Sequence, residues 1–202
     1  MRPFVHLHVH SQYSLLDGQA SISKLVDKAI ADGMPGIALT DHGNMFGVKE
    51  FFNYINKKNG ARRDRIKALK ELIERLENGT ATDKDKGDDA DAALAKARAE
   101  LDSVPKADFK GIIGCEVYVA RRRLFNKEKA MGDYSGYHLI LLAKNITGYK
   151  NLIKIVSKAY TEGMYGRPRT DRTELEKYHE GLICCSACIG GELPRRIREN
   201  EL

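Results

Sequence analysis

Three of the six histidines in the chain sit on alternate positions, His6, His8 and His10, within FVHLHVHSQYSLLDG. In an extended strand, alternate side chains share one face and stand about 6–7 Å apart along it. Histidine is the commonest metal ligand in proteins, and two imidazoles at that spacing aim at one point. A solvated strand face is the plain alternative. A purification tag is a poor account, because a tag is an unbroken run of histidines. Here Leu7 and Val9 interleave and are expected to fill a core from the opposite face.

Other chemistry-bearing residues recur at comparable positions. Asp17 follows in the loop after the first apolar stretch, and Asp41 with His42 ends the run PGIALTDHGN. Glu116 interrupts GCEVYVA, where an apolar residue would pack better, His138 opens YHLILLAKN, and Cys188 follows GLICCSA. Each has an ordinary account when taken singly. Asp41 with Asn44 makes a turn with side-chain hydrogen bonds, Glu116 pairs with a lysine, His138 is a satisfied core histidine, and Cys188 is a small buried residue. Cys185 and Cys188 form one CxxC, too little for a zinc ribbon. Jointly the residues favour a metal site, because four of the six histidines, a glutamate and an aspartate all fall at candidate strand ends. Nitrogen, oxygen and sulfur donors with open positions suit Zn²⁺, Mn²⁺ or Fe, and so many ligands call for several ions.

The elements that must position them follow from hydrophobic spacing. FVHLHV alternates as a strand, and Ile22, Leu25, Val26, Ala29 and Ile30 follow a helical pattern with Ser21 as N-cap and Gly33 as stop. PGIAL is a short strand, and MFGVKEFFNYINKK is a second amphipathic helix. This rhythm argues for an α/β fold with parallel strands, whose chemistry gathers at the C-terminal strand ends. It resumes with strands in GIIGCEVYVA and YHLILLAKN, a helix in GYKNLIKIVSKAYTEG, a strand in GLICCSA and a helix from GELPRRIREN. Since side chains alternate, Cys115 should face away from Glu116, toward the helices. Residues 59–108 break the rhythm. Ile66, Leu69, Ile73 and Leu76, then Ala90, Leu94, Ala97 and Leu101, mark two helices, 62–77 and 90–102, joined by polar NGTATDKDKGDD. They are expected to form an antiparallel hairpin inserted in the α/β frame.

The bulk properties set limits. At 202 residues, with 42% hydrophobic and 31% charged residues, the chain is expected to be one globular domain with an insertion. No apolar run approaches a membrane span and no signal peptide opens the sequence, so a cytoplasmic protein with no membrane partner is expected. Four cysteines without a disulfide spacing agree. The net charge is +6, and residues 121–202 hold the excess, 16 basic groups against 10 acidic. A basic face favours phosphate-bearing partners.

HLHVHSQYSLLDG, TDHGN, GCEVYVA, YHLILLAKN, RPRTDR and CSACIGGE occur in an order that resembles one family. This is the polymerase and histidinol phosphatase (PHP) domain, in the branch found in bacterial replicative DNA polymerase III alpha subunits. YSLLDGQASI with RPRTDR is specific to that branch. The resemblance covers residues 1–202 apart from 59–108, and it implies an irregular seven-stranded β/α barrel with up to three divalent ions (Zn, Mn, Fe or Mg). By it, His8 and His10 would hold one metal and share Glu116 with a second, which His138 and Cys188 complete. Asp17 and His42 would bind the third. His6 matches no ligand. A further Asp-x-His motif of the family would lie beyond Leu202, leaving the first and third metals one ligand short.

The resemblance implies metal-assisted phosphoester hydrolysis, with Glu116, His8 and His10 as catalytic residues and a 3′ DNA end as substrate, a proofreading 3′–5′ exonuclease. Arg167 and Arg169, read as a loop near the mouth, are candidate phosphate contacts, with a salt bridge to Asp171 or Glu174 as the alternative. One rival is a metal-braced scaffold within the polymerase that docks other replicative subunits, including a separate proofreading exonuclease. Another is a small-molecule phosphatase of the histidinol phosphatase type. Nucleotidyl transfer itself would need carboxylates of a palm domain that these residues do not contain.

Overall fold

The computed structural model describes residues 4–200 of the chain. They divide into two compact units, one made of the residues up to Phe52 with those from Lys110 onward, the other of Asn53–Phe109. In chain order the elements are α1 (Ile22–Ala31), β1 (Gly36–Leu39), α2 (Val48–Glu77), α3 (Asp83–Lys86), α4 (Ala90–Ser103) and β2 (Lys110–Ala120). There follow β3 (Gly136–Ala143), α5 (Ile146–Thr161), β4 (Met164–Tyr165), β5 (Arg167–Thr170), α6 (Arg172–Tyr178), β6 (Leu182–Cys185) and α7 (Glu192–Glu199).

In the larger unit the sheet order is β4-β5-β2-β3-β6, and β1 also pairs with β2. The described residues therefore form six strands in a mixed sheet, not the purely parallel sheet that the strand–helix rhythm suggests. β1 and β5 run parallel to β2, whereas β2–β3, β3–β6 and β4–β5 are antiparallel. The physical reason lies in residues 121–135, which hold only a single 3₁₀ turn at Lys129–Met131. A parallel return needs a crossover element to carry the chain back, and this connection has none.

The two faces of β2 have different tasks. Cys115, Val117 and Val119 pack with Leu141 against Leu152, Ile155 and Val156 of α5. Glu116 lies on the other face, with Ile140 as its cross-strand partner. On that side Ala38, Ile140 and Leu142 form a smaller cluster with Ile112 and Cys185 around it. Cys115 accordingly points to the helix, and burial pushes its thiol pKa far up, so it stays protonated.

Residues 4–10 are not a regular strand, and the chain bends at Leu7–His8. They lie along β1 through two backbone bonds, Ala38 N to His6 O at 2.9 Å and Thr40 N to Val9 O at 2.9 Å. Thr40 Oγ1 accepts the Val9 N–H at 2.8 Å, so a side chain takes the place of a ladder rung. Leu7 is exposed and does not fill a core.

In the smaller unit, the helix expected to start at residue 62 is the second half of α2, which runs unbroken through Asn59-Gly60. A mid-helix glycine costs only about 1 kcal/mol, and no proline interrupts the run. α3 begins in a capping box, Thr82 with Asp85, and Asp89 caps α4. Arg62 binds Asp108, Arg65 binds Glu100, and Glu77 binds Arg98, so α2 and α4 run in opposite senses. Leu69 and Ala97 are buried.

Candidate metal centre

The register of β2 builds the site. Glu116 N donates to Asp41 O at 3.1 Å and Gly43 N to Glu116 O at 2.7 Å, which sets His42 beside Glu116 in a parallel bridge. Gly43 is required there: its φ is +73°, and a Cβ would lie 2.9 Å from the Tyr118 ring. At the start of β3, His138 N donates to Gly190 O at 3.0 Å, which brings in the loop that carries Cys188. That loop closes tightly, since a Cβ on Gly190 would come within 2.8 Å of His138 Nδ1.

The result is a carboxylate among four imidazoles. Glu116 Oε2 lies 3.1 Å from His8 Nε2, 2.5 Å from His10 Nε2 and 3.8 Å from His42 Nδ1, and Oε1 lies 2.9 Å from His138 Nδ1. Cys188 Sγ is 3.4 Å from His138 Nδ1 and 3.6 Å from Glu116 Oε1. Asp17 Oδ2 reaches His42 Nδ1 at 2.5 Å. Leu16 carries a left-handed φ of 74° just before it, a costly turn for a bulky residue that aims the Asp17 carboxylate inward. All seven residues expected as ligands thus meet in one place. His6 does not join them and stacks edge-on against Phe4.

Charge is arranged to suit. Burial works against the Glu116 carboxylate, but hydrogen bonds from His10 and His138, the His42 charge and the His8 bond outweigh it. Its pKa lies well below the ordinary range. The bond to Glu116 raises the pKa of His10 against the effect of burial, whereas burial lowers that of His42 despite Asp17.

The donor set fits a cation. His8 Nε2 and His10 Nε2 stand 3.3 Å apart and face the same carboxylate oxygen, so three atoms able to ligate a cation converge on one point. His42 Nε2 is buried with no hydrogen-bond partner among the described residues. Three triads, His8–His10–Glu116, His10–Asp17–His42 and His42–Glu116–His138, each present ligand atoms within 4.8 Å of one another. Imidazole, carboxylate and thiol donors together match Zn²⁺, Mn²⁺ or Fe.

The family profile of the PHP domain matches residues 6–202. The chain belongs to the PHP domain family. It is 43% identical over 197 residues to the DNA polymerase III subunit alpha of Borreliella burgdorferi, covering 98% of this chain and 13% of that protein. The subunit of the same name from Treponema pallidum is 39% identical over 191 residues, and that from Thermus aquaticus 36% over 202, each with 12% of its length covered. This PHP domain therefore spans about an eighth of the length of the curated relatives it matches.

The two arginines expected at phosphate part company. Arg167 is exposed on β5, with its guanidinium 5.7 Å from the centre of the Tyr118 ring. Arg169 is 0% exposed and donates to Gly163 O, Asp133 O, Leu124 O and Asn126 O at 2.5–3.1 Å. It is an internal brace and no phosphate contact, and it pairs with neither Asp171 nor Glu174. The segment forms a β4–β5 hairpin where a loop was expected: Arg169 sits where β5 pairs with Tyr118 of β2, whereas Arg167 precedes that pairing and faces only Tyr165 of β4.

The sequence did not point to Tyr118, nor to the bracing role of Asp41. Tyr118 stacks on His42, with ring centres 4.4 Å apart, and meets His138 edge-on at 5.4 Å. Its hydroxyl pKa is pushed up to about 12, by burial first, then Asp17 and Glu116, with Arg167 opposing. Its position two residues after Glu116, on the same face, was the available signal. Asp41 is buried and accepts from Ser11 N at 2.7 Å and Ser14 Oγ at 2.7 Å, and Ser14 Oγ in turn accepts His42 N at 2.9 Å. Asp41 thus ties the loop of Asp17 to the turn of His42.

Proposed function

We propose that this PHP domain is part of a bacterial replicative DNA polymerase III alpha subunit. In this reading its cluster holds divalent ions for phosphoester hydrolysis, with a 3′ DNA end as substrate. The observation that supports it most is the buried Glu116 carboxylate with four imidazoles on its two oxygens. His8, His10 and Glu116 would hold one ion, Glu116, His138 and Cys188 a second, and Asp17 with His42 a third. Bound divalent ions supply Lewis acidity and a hydrolytic water of lowered pKa. Glu116, its carboxylate favoured by the surrounding imidazoles, would be shared between two of the ions. Asp41, through Ser14, holds the His42 backbone in place, and Tyr118 packs flat on that ring. Arg167 lies exposed over Tyr118, where it can make charge-assisted bonds to phosphate. Relatives named DNA polymerase III subunit alpha favour a DNA end over a small phosphate ester as substrate.

A second reading is a metal-braced scaffold that docks other replicative subunits, including a separate proofreading subunit. It is favoured by the way the Glu116 carboxylate draws together side chains of the 4–10 segment, the turn after β1 and the start of β3. The test uses the polypeptide with its natural flanking sequence, loaded with Zn²⁺ or Mn²⁺ and compared with Glu116→Gln. The variant is expected to lose most bound metal by mass spectrometry of the elements, and the parent to release 3′ nucleotides from single-stranded DNA. A parent that binds metal fully yet leaves the 3′ end intact sinks the exonuclease and leaves the scaffold.

A further inference from the structure

The smaller unit has a cavity of its own, whose lining shares no residue with the metal centre. α2, α3 and α4 line about 520 Å³, in the size range of small-molecule pockets. Its floor is aliphatic, built on Leu69, Leu72 and Ala97 with two further alanines. Its rim carries Arg65, Arg75, Lys84, Lys86 and Lys96, with Asp85 and Glu100 as its only acids.

The rim is selective in charge. Residues 53–109 contain 13 basic and 12 acidic side chains, so the unit as a whole is nearly neutral. The cavity takes five of the basic groups and two of the acidic ones. Both acids are already engaged. Glu100 accepts from Arg65 Nε at 2.8 Å, and Asp85 accepts from Thr82 N at 3.1 Å and from Arg75 at 3.4 Å. Lys84, Lys86 and Lys96 have no ion pair among the described residues. Three uncommitted ammonium groups beside an apolar floor match a ligand with a polyanionic end and an apolar body.

We propose that this cavity binds a nucleoside triphosphate, with the base on the Leu69–Leu72–Ala97 floor and the phosphates on Lys84, Lys86 and Lys96. The site stands apart from the proposed metal chemistry and holds or fails independently of it. Calorimetric titration with ATP in the presence of EDTA, which excludes binding through metal, tests it. The expected result is saturable one-to-one binding, with tripolyphosphate about tenfold weaker because it lacks the base. The triple variant Lys84→Glu, Lys86→Glu, Lys96→Glu, checked for fold by circular dichroism, should weaken ATP about tenfold or more. No saturation by about 1 mM ATP, equal affinity for tripolyphosphate, or unchanged affinity in the variant each overturns the proposal. So does a short oligothymidylate that displaces ATP at lower nucleotide concentration than ATP itself, since that would assign the site to nucleic acid.

Discussion

A carboxylate 1% exposed and ringed by imidazoles survives only because the rings share protons toward it. A buried guanidinium survives for a parallel reason. Arg169 has its donors satisfied by four backbone carbonyls from three separate stretches of chain. Arg169→Met keeps much of the volume and removes every one of those bonds, leaving Gly163 O only the Arg169 backbone N–H at 3.4 Å and taking the guanidinium donor from the other three carbonyls. We expect a loss of about 3–5 kcal/mol, read as a lower urea midpoint with an unchanged slope. Arg167→Met, by contrast, should leave stability within about 0.5 kcal/mol, as surface changes do. The two arginines show where residue-scale reading stops. His8, His10, His42, Glu116 and Cys188 were legible because their types are uncommon at strand ends. Nothing in RPRTDR says which arginine turns inward, because that depends on a β4–β5 hairpin visible only in the fold.

Elements were legible where period and caps agreed. α1 runs from its Ser21 cap to a left-handed Gly33, and β2 keeps Cys115 and Glu116 on opposite faces. They were misread where one side chain changes the outcome. Thr40 takes the bond that would have made residues 4–10 a strand, and an unbroken α2 erased an expected helix boundary. The connection from β2 to β3 shows a further device that sequence does not reveal. Asp133 is buried, accepts from Arg122 Nε at 3.1 Å and Glu128 N at 3.0 Å, and offers its own carbonyl to Arg169. Arg122 holds its carboxyl at about 2, against the opposing effect of burial. Its pKa is lower folded than unfolded, so its stabilisation is complete above about pH 4 and is lost as pH falls toward 2. Urea midpoints measured across that range should fall less steeply for Asp133→Asn than for the parent. Equal slopes would mean that other carboxylates govern the acid limb.

At the scale of the molecule, the chain is two units, and the smaller one begins and ends at neighbouring points. Asn59 Nδ2 donates to Phe109 O at 3.0 Å and Phe109 N donates to Asn59 Oδ1 at 2.9 Å, fifty positions apart in sequence. Excising residues 61–107 and bridging the gap with a short Gly-Ser linker keeps this clamp. The shortened protein is expected to bind as much metal per chain as the parent and to lose helical dichroism in proportion. Failure to bind metal would make the helices of 53–109 part of what holds the centre. The sequence led to an insertion starting at residue 59, whereas the smaller unit starts at Asn53 inside an unbroken α2; the clamp was not legible, because no spacing rule links an asparagine to a backbone fifty positions away. That clamp has a consequence in the entropy of loop closure. Once the ends of a loop are joined, closing it costs only about 0.6 kcal/mol more for each doubling of its length. In chain entropy alone, therefore, a longer or shorter excursion between Asn59 and Phe109 costs the larger unit little. An extra residue between Ile113 and Cys115 has no such freedom, because it would deliver a thiol where the carboxylate belongs.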